Sequence, residues 1–258
     1  MRGSECGSRP HESYRALLMP ELKITSFNCH AGLQARTNGE CVPYDLPTVL
    51  RSFDADVIVV QESWTPDGGT SAVRAVGDAV GAEVFELKFG RARLEPWPHV
   101  PRDGEGIGDV GLAILSRLPA QVEGRLAVGT VPGDPTPERG GLHVVLDVDG
   151  TKVDLVGVHL TSRLPYGPPT QLRRLRPQLP NAGRPAIVAG DCNFWGPGVS
   201  AFLPGWTRTV RGRTWPSSRP HSQIDHILVR SDTQVVRGEV LPDVGSDHRP
   251  VRAVLRFG

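Results

Sequence analysis

Residues 186–193 read AIVAGDCN, and the fold is decided by stretches of this kind. Ala186–Ala189 is a short apolar run of strand length, and it is followed at once by Asp191 and Asn193, two side chains able to hold a metal or move a proton. Five further segments repeat the arrangement: ITSFN ending at Asn28, DVIVVQE ending at Gln61-Glu62, VDLVGVHLTS with His159, SQIDHILV with Asp225, and GSDHRPV with Asp247-His248. Polar groups at the carboxyl ends of sheet strands are where α/β folds assemble their sites, because the loops there converge on one crevice.

Working outward, Leu22–Asn28 alternates as a half-buried strand does, and the VIVV of Asp56–Gln61 is a continuous β-branched run of the kind covered on both faces. Between them Leu46, Val49, Leu50 and Phe53 fall at helical spacing, with Asp45 as N-cap and Pro47 in the first turn. Ser71–Val80 and Thr170–Leu179 carry the same helical period. Further strands are expected at Val84–Phe89, Gly111–Leu115, Leu142–Val148, Val153–His159, Ala186–Ala189, Ile224–Val229 and Val251–Phe257. Few helices and about ten strands imply a mixed α/β or α+β fold with large sheets. Two stretches rich in Gly, Pro and Asp, Glu95–Asp109 and Thr130–Gly140, are long for simple connectors and are candidates for substrate-facing loops.

Composition excludes several classes. In 258 residues, 38% are hydrophobic and 22% charged, and no apolar run approaches the roughly 18 residues of a bilayer span. Basic and acidic residues number 29 and 28, so global charge points neither to a polyanion binder nor to a membrane-surface protein. Thirty glycines and 24 prolines, spread along the chain, imply many turns and argue against a helical bundle or coiled coil. Cys6, Cys29, Cys41 and Cys192 show no CxxC spacing, and the first residues lack the apolar core of a secretory signal. The expectation is a cytoplasmic, monomeric protein with a loosely ordered tail over residues 1–20 and one domain over residues 21–258.

Each polar strand end has an ordinary explanation as a turn former, a cap or a satisfied core histidine. Their succession does not. In this order, IVAGDCN, QIDHI, GSDHRPV and VIVVQE resemble the endonuclease/exonuclease/phosphatase superfamily, the DNase I-like and exonuclease III-like proteins, over about Ile24 to Val254. The resemblance implies an α/β (α+β) four-layer sandwich of two mixed β-sheets flanked by helices. It also implies hydrolysis of phosphoesters with Mg²⁺, for which Mn²⁺ substitutes.

Carried over residue by residue, it makes Glu62 the principal metal carboxylate, with Asn28 and Asp247 completing or bordering the metal site. Asp191 would orient or deprotonate the attacking water, and Asn193 would position the phosphate or the nucleophile. His248 would touch a phosphate oxygen while Asp225 holds its imidazole in one tautomer. His159 resembles the histidine that protonates the leaving oxygen in several branches, though which histidine is acid and which base stays open. Cys192 departs from the aromatic residue many relatives carry between the aspartate and the asparagine, and its side chain is expected in the core. His226 follows Asp225 and by strand alternation faces the other side, outside the catalytic set.

Substrate is less determined than reaction type. Arg163, Arg173 and Arg213 are candidates for phosphate contacts, and one of Trp195, Trp206 and Trp215 for stacking on a base; solvated surface and core packing are the ordinary alternatives. The leading expectation is a phosphodiesterase or nuclease acting on nucleic acid. The alternatives are a phosphatase or phosphodiesterase for a small phosphorylated metabolite or lipid headgroup, and a catalytically inert binding module on the same fold.

Overall fold

The computed structural model describes residues 19–35, 41–94, 106–134, 136, 139–230 and 233–258. Its strands are β1 (Glu21–Asn28), β2 (Leu33–Ala35), β3 (Cys41–Pro43), β4 (Val57–Pro66), β5 (Glu83–Arg93), β6 (Ile107–Ser116) and β7 (Ala120–Ala127). The second half adds β8 (Gly140–Val148), β9 (Thr151–His159), β10 (Ala186–Asp191), β11 (Trp206–Arg208), β12 (Asp225–Arg230), β13 (Thr233–Val240) and β14 (Val251–Phe257). Among the described residues four α-helices accompany them: α1 (Leu46–Ser52), α2 (Ala72–Val80), α3 (Gly167–Leu175) and α4 (Gly196–Phe202).

Two six-stranded sheets follow, in the orders β13-β14-β1-β4-β6-β5 and β11-β12-β10-β9-β8-β7, beside a small β2-β3 ribbon. Each large sheet contains one parallel pair, β1 with β4 and β9 with β10, and the other neighbours run antiparallel. A parallel pair needs a crossover, and the chain supplies one to each sheet, α1 between β1 and β4 and α3 between β9 and β10.

The local signals explain these elements. Asp45 accepts a hydrogen bond from the Thr48 amide at 3.0 Å and caps α1; Ser71 does the same for Arg74 at the start of α2, which ends on Gly81 at φ 66°. The periodicity over 170–179 resolves into α3, which starts earlier on Gly167 and Pro168, and a 3-10 turn, Arg176–Gln178. Pro177 lacks the amide that an α-helical bond back to residue 173 requires, so the helix tightens there.

The layers are helix, sheet, sheet, helix. Val57 and Val59 of β4 face the core between the sheets, with Leu112, Ile114, Leu155, Ile187 and Ile227. Ile58 and Val60 point the other way, under α1 and α2, so the VIVV run is covered on both sides. A third cluster, including Val156, Val158, Leu172, Val188 and Cys192, fills the space beneath α3 and α4. Among the described residues no helix is long and apolar enough to cross a membrane.

The sequence reading missed the short elements β2, β3, β11 and α4, and the edge strands β7 and β13, which lack the buried positions that made the edge strand β5 legible. AQVEGRLA and TQVVRGEV carry charges and a glycine and are mostly exposed, so no buried face imposes an alternating apolar pattern. Of the proposed loop Glu95–Asp109, the first eleven residues lie outside the described part, and residues 107–109 open β6. Within 130–140, residues 135, 137 and 138 also lie outside it.

His226 points into the α3/α4 side, where its Nε2 donates to the Phe194 carbonyl at 3.0 Å and its Nδ1 is buried with no hydrogen-bond partner among the described residues. Burial pushes its pKa down from 6.5 to about 4. The unfolded chain therefore takes up the proton first, and stability falls as pH drops from about 6.5 to about 4, by about 3 kcal/mol from this group. Urea midpoints of wild type and His226→Gln at pH 7 and pH 4.5 check this. The wild type is expected to lose more over the interval, and parallel losses count against it.

Candidate active site

The carboxyl end of a parallel strand lies beside the amino end of its antiparallel neighbour, so one edge of each sheet collects the functional residues. In the first sheet Asn28, the last residue of β1, pairs with Gln61 midway along β4, and β14 begins alongside, Val251 pairing with Ser26. In the second sheet Asp191 pairs with His159 at the ends of β10 and β9, and with Asp225 at the start of β12. Stacking the sheets brings the two edges face to face. Residues separated by up to 220 positions meet there.

Glu62 does not end its strand, as the sequence suggested. It sits inside β4 at φ 54°, where the register against β6 slips between Gln61 and Ser63. This β-bulge breaks the alternation and re-aims the carboxylate toward the second sheet. Asn28, buried, joins the two halves: its Nδ2 donates to Glu62 Oε1 at 3.2 Å and to Asp191 Oδ2 at 3.0 Å. Asn193 is also held at positive φ (47°), and its main-chain amide donates to Asp191 Oδ1 at 2.7 Å. Its Nδ2 donates to the Leu160 carbonyl at 2.9 Å, with Asp191 Oδ2 at 3.3 Å, so Asn193 orients the Asp191 carboxylate.

His159 Nε2 stands 3.6 Å from Asp191 Oδ2 and 3.8 Å from Glu62 Oε1. His248 donates from Nδ1 to Asp225 Oδ2 at 2.9 Å and Oδ1 at 3.1 Å, which leaves Nε2 3.9 Å from Asp191 Oδ2. Ser246 Oγ donates to the Asn28 carbonyl at 2.7 Å and ties this segment to β1. Asp247 accepts from the Trp215 indole at 3.2 Å, and its Oδ1 lies 3.9 Å from His30 Nδ1.

The two histidines differ in charge. Burial, and then the Arg139 and His248 cations, push His159 well below the ordinary value, so it stands neutral at pH 7. Burial also works against protonation of His248, yet Asp225 and Asp191 together raise it well above the ordinary value, so it is an imidazolium. Burial pushes Asp191 up to about 7, against the pull of His248 and its hydrogen-bond donors. Burial likewise raises the Cys29 thiol to about 12 and Cys192 well above its usual range, which makes both unreactive packing residues.

Two groups of side chains offer themselves to a cation. Asp191, Asp225 and His248 have ligand atoms within 4.8 Å of one another. Both Asp225 oxygens, however, already hold the His248 imidazole, and all three residues are buried. Glu62 and Asp247 are more open, with side chains 21% and 29% exposed onto the cavity, whereas Asn28 turns its Nδ2 donor to Glu62 and Asp191 and its Oδ1 accepts from the His30 amide at 3.1 Å. Carboxylate oxygens lining one open cavity suit a hard divalent cation, which also offsets the repulsion between them.

The site forms the floor of a cavity of about 420 Å³ lined by Glu62, His159, Asp191, Asn193, Asp247 and His248. Apolar walls rise from Phe89, Val110, Leu164, Trp195 and Trp215. Asn28 and Asp225 support the floor from behind. The structure leaves Arg163, Arg173 and Arg213 outside this lining. Arg163 lies near Gly133, Arg173 covers the Phe202 ring at 4.9 Å, and Arg213 is exposed. Of the tryptophans, Trp206 is core, while Trp195 is half-exposed at the cavity and Trp215 holds Asp247. Sequence reasoning missed His30 and Arg139, two further lining residues; the second belongs to the 130–140 stretch singled out as a substrate-facing loop.

An endonuclease/exonuclease/phosphatase protein from Beutenbergia cavernae superposes with a TM-score of 0.69 at 22% identity, over 93% of this chain and 72% of that one. D. rerio TDP2 complexed with a single-strand DNA product gives 0.60 at 20% identity, over 91% and 98%. A mannosyl-6-phosphatase from Bacteroides thetaiotaomicron gives 0.63 at 16% identity, over 92% and 100%. No curated protein sequence matches the chain. The superpositions establish the DNase I-like fold, and the sequence model of the endonuclease/exonuclease/phosphatase family matches residues 25–248, nearly the whole of the site-bearing chain. The chain therefore belongs to the endonuclease/exonuclease/phosphatase family of phosphoester hydrolases.

Proposed function

We propose that the chain is a Mg²⁺-dependent phosphodiesterase acting on nucleic acid at strand ends or single-stranded segments. The observation that carries this reading is the meeting of Glu62, Asp191, His159 and His248 at the floor of one cavity. A divalent cation held by Glu62, with Asp247 and Asn28 beside it, would neutralise phosphate charge and acidify water. Asp191, with a pKa near neutrality, is matched to accept a proton from attacking water, and Asn28 and Asn193 keep its oxygens aimed. His159, neutral, offers a hydrogen bond to a phosphoryl oxygen. His248, charged and pinned by Asp225, presents Nε2 as the donor to the phosphate or its leaving oxygen. The half-exposed Trp195 offers a face for stacking a base.

A second reading has its own support. About 420 Å³ is the size of a small-ligand site rather than of a duplex groove, which favours a small phosphorylated molecule. Incubation with single- and double-stranded DNA, RNA, and a panel of phosphomonoesters separates the two. Cleavage of nucleic acid is expected with Mg²⁺ or Mn²⁺ and none with EDTA. Phosphate release from monoesters alone would replace the first reading by the second. Metal binding is checked apart from turnover: millimolar Mg²⁺ or Mn²⁺ should raise the thermal midpoint of wild type and leave Glu62→Gln unmoved. Equal shifts in both would remove Glu62 from the metal site.

A further inference from the structure

Arg139 is an unusual cavity residue. It is only 9% exposed, yet it lines the cavity whose floor carries Glu62, Asp191 and Asp247, and its charge reaches His159. A buried guanidinium needs a partner, and Asp134 provides it: Oδ2 accepts from Arg139 Nε at 2.9 Å, while Oδ1 accepts from the Thr136 amide at 2.9 Å. The carboxylate thus holds both the arginine and the Thr136 amide. It engages only the Nε, and among the described residues none takes the terminal nitrogens. The other arginine among the described lining residues differs. Arg91 is half-exposed and is divided between Asp67 and Asp109.

Thr136 and Ser162 also line the cavity. A guanidinium fork with hydroxyl groups in the same lining has the donor chemistry that phosphate oxygens require. It belongs to the loop following β7, whereas the hydrolytic groups come from β4, β9, β10 and the segment before β14.

We infer that Arg139, with Thr136 and Ser162, forms a second anion subsite that binds a phosphate group of the substrate other than the one being hydrolysed. The inference rests on the phosphoesterase reading above and narrows it to substrates with two phosphate groups within one cavity's reach, such as a nucleotide terminus bearing its own phosphate. Pre-orientation by Asp134 makes the fork ready without ordering a free side chain, so its contribution appears as discrimination between substrates with and without the second phosphate.

The test uses the full-length chain and three dinucleotides, TpT, pTpT and TpTp, which share the scissile bond and differ in a terminal phosphate. Wild type is expected to cleave one of the phosphorylated forms with kcat/KM about tenfold above TpT, the size of a charge-assisted hydrogen bond. The ratio should fall to about one in Arg139→Gln. Arg139→Lys, which keeps the charge but not the fork, should also reduce it and serves if the glutamine variant does not fold. No preference in wild type, or a preference unchanged in the variants, overturns the subsite. If no dinucleotide is cut, nucleic acid is the wrong substrate, and a second measurement decides. Inorganic phosphate in EDTA should raise the thermal midpoint of wild type and not of Arg139→Gln, whereas a shift absent from wild type or retained in the variant rejects the inference.

Discussion

Asp191→Asn is expected to lower kcat/KM by about 10²–10⁴-fold while leaving the thermal midpoint of the metal-free protein little changed. Both halves follow from the same surroundings. The carboxylate is buried between two sheets and faces His159 and His248, so the substitution removes the proton acceptor at that position. Burial raises its pKa from 3.8 to about 7. A carboxyl group raised in the folded state destabilises the fold progressively as pH climbs from the unfolded to the folded value, and fully above it. At pH 8 the neutral asparagine removes that penalty, which offsets the hydrogen bond from Asn28 or Asn193 that its Nδ2 cannot accept. His248→Asn should produce a loss of similar order. The double variant should be little worse than either single, because the two groups act on one transition state. Activity within a few-fold of wild type, or a midpoint that collapses along with turnover, would contradict the assignment. Circular dichroism melts beside the kinetics supply the check.

The second large effect concerns stability. Gly190 precedes Asp191 at φ 153°, a backbone region closed to side chains, and a Cβ there would stand 1.9 Å from the Val158 carbonyl oxygen of β9. That oxygen belongs to the adjacent parallel strand and has no freedom to retreat without parting β9 from β10. Gly190→Ala is therefore expected to cost about 3 kcal/mol or more, and to displace Asp191 and His159 with the strands that carry them. Gly124→Ala is the control, since its Cβ would meet nothing within 4 Å. Urea unfolding of the two variants should differ by most of that amount, and a Gly190→Ala chain as stable as the control would mean that the two strands pair differently.

The legibility of the site in the sequence varied with its origin. AIVAGDCN, SQIDHILV and GSDHRPV could be read because buried strands carry a strong apolar signal and their polar ends stand out against it. Edge strands β7 and β13 could not, being exposed and mixed in polarity. Glu62 was legible as a residue and not as a position. Nothing in DVIVVQE announces a bulge, since the slip arises from pairing with β6, more than 40 residues away. The arginines were the weakest reading. One guanidinium resembles another in sequence, and Arg173 and Arg174 serve packing, over Phe202 and against the 128 and 130 carbonyls, while Arg139 reaches the cavity.

By itself the sequence determined the alternation of strands and helices, the polar strand ends and the kind of chemistry they carry, because these depend on side-chain type and local period. Tertiary structure alone decided that Asn28 bridges Glu62 and Asp191, that His159 is neutral while His248 is charged, and that Arg139 rather than Arg163, Arg173 or Arg213 faces the cavity. These depend on burial and on distances between residues remote in the chain, set only when the two sheets stack.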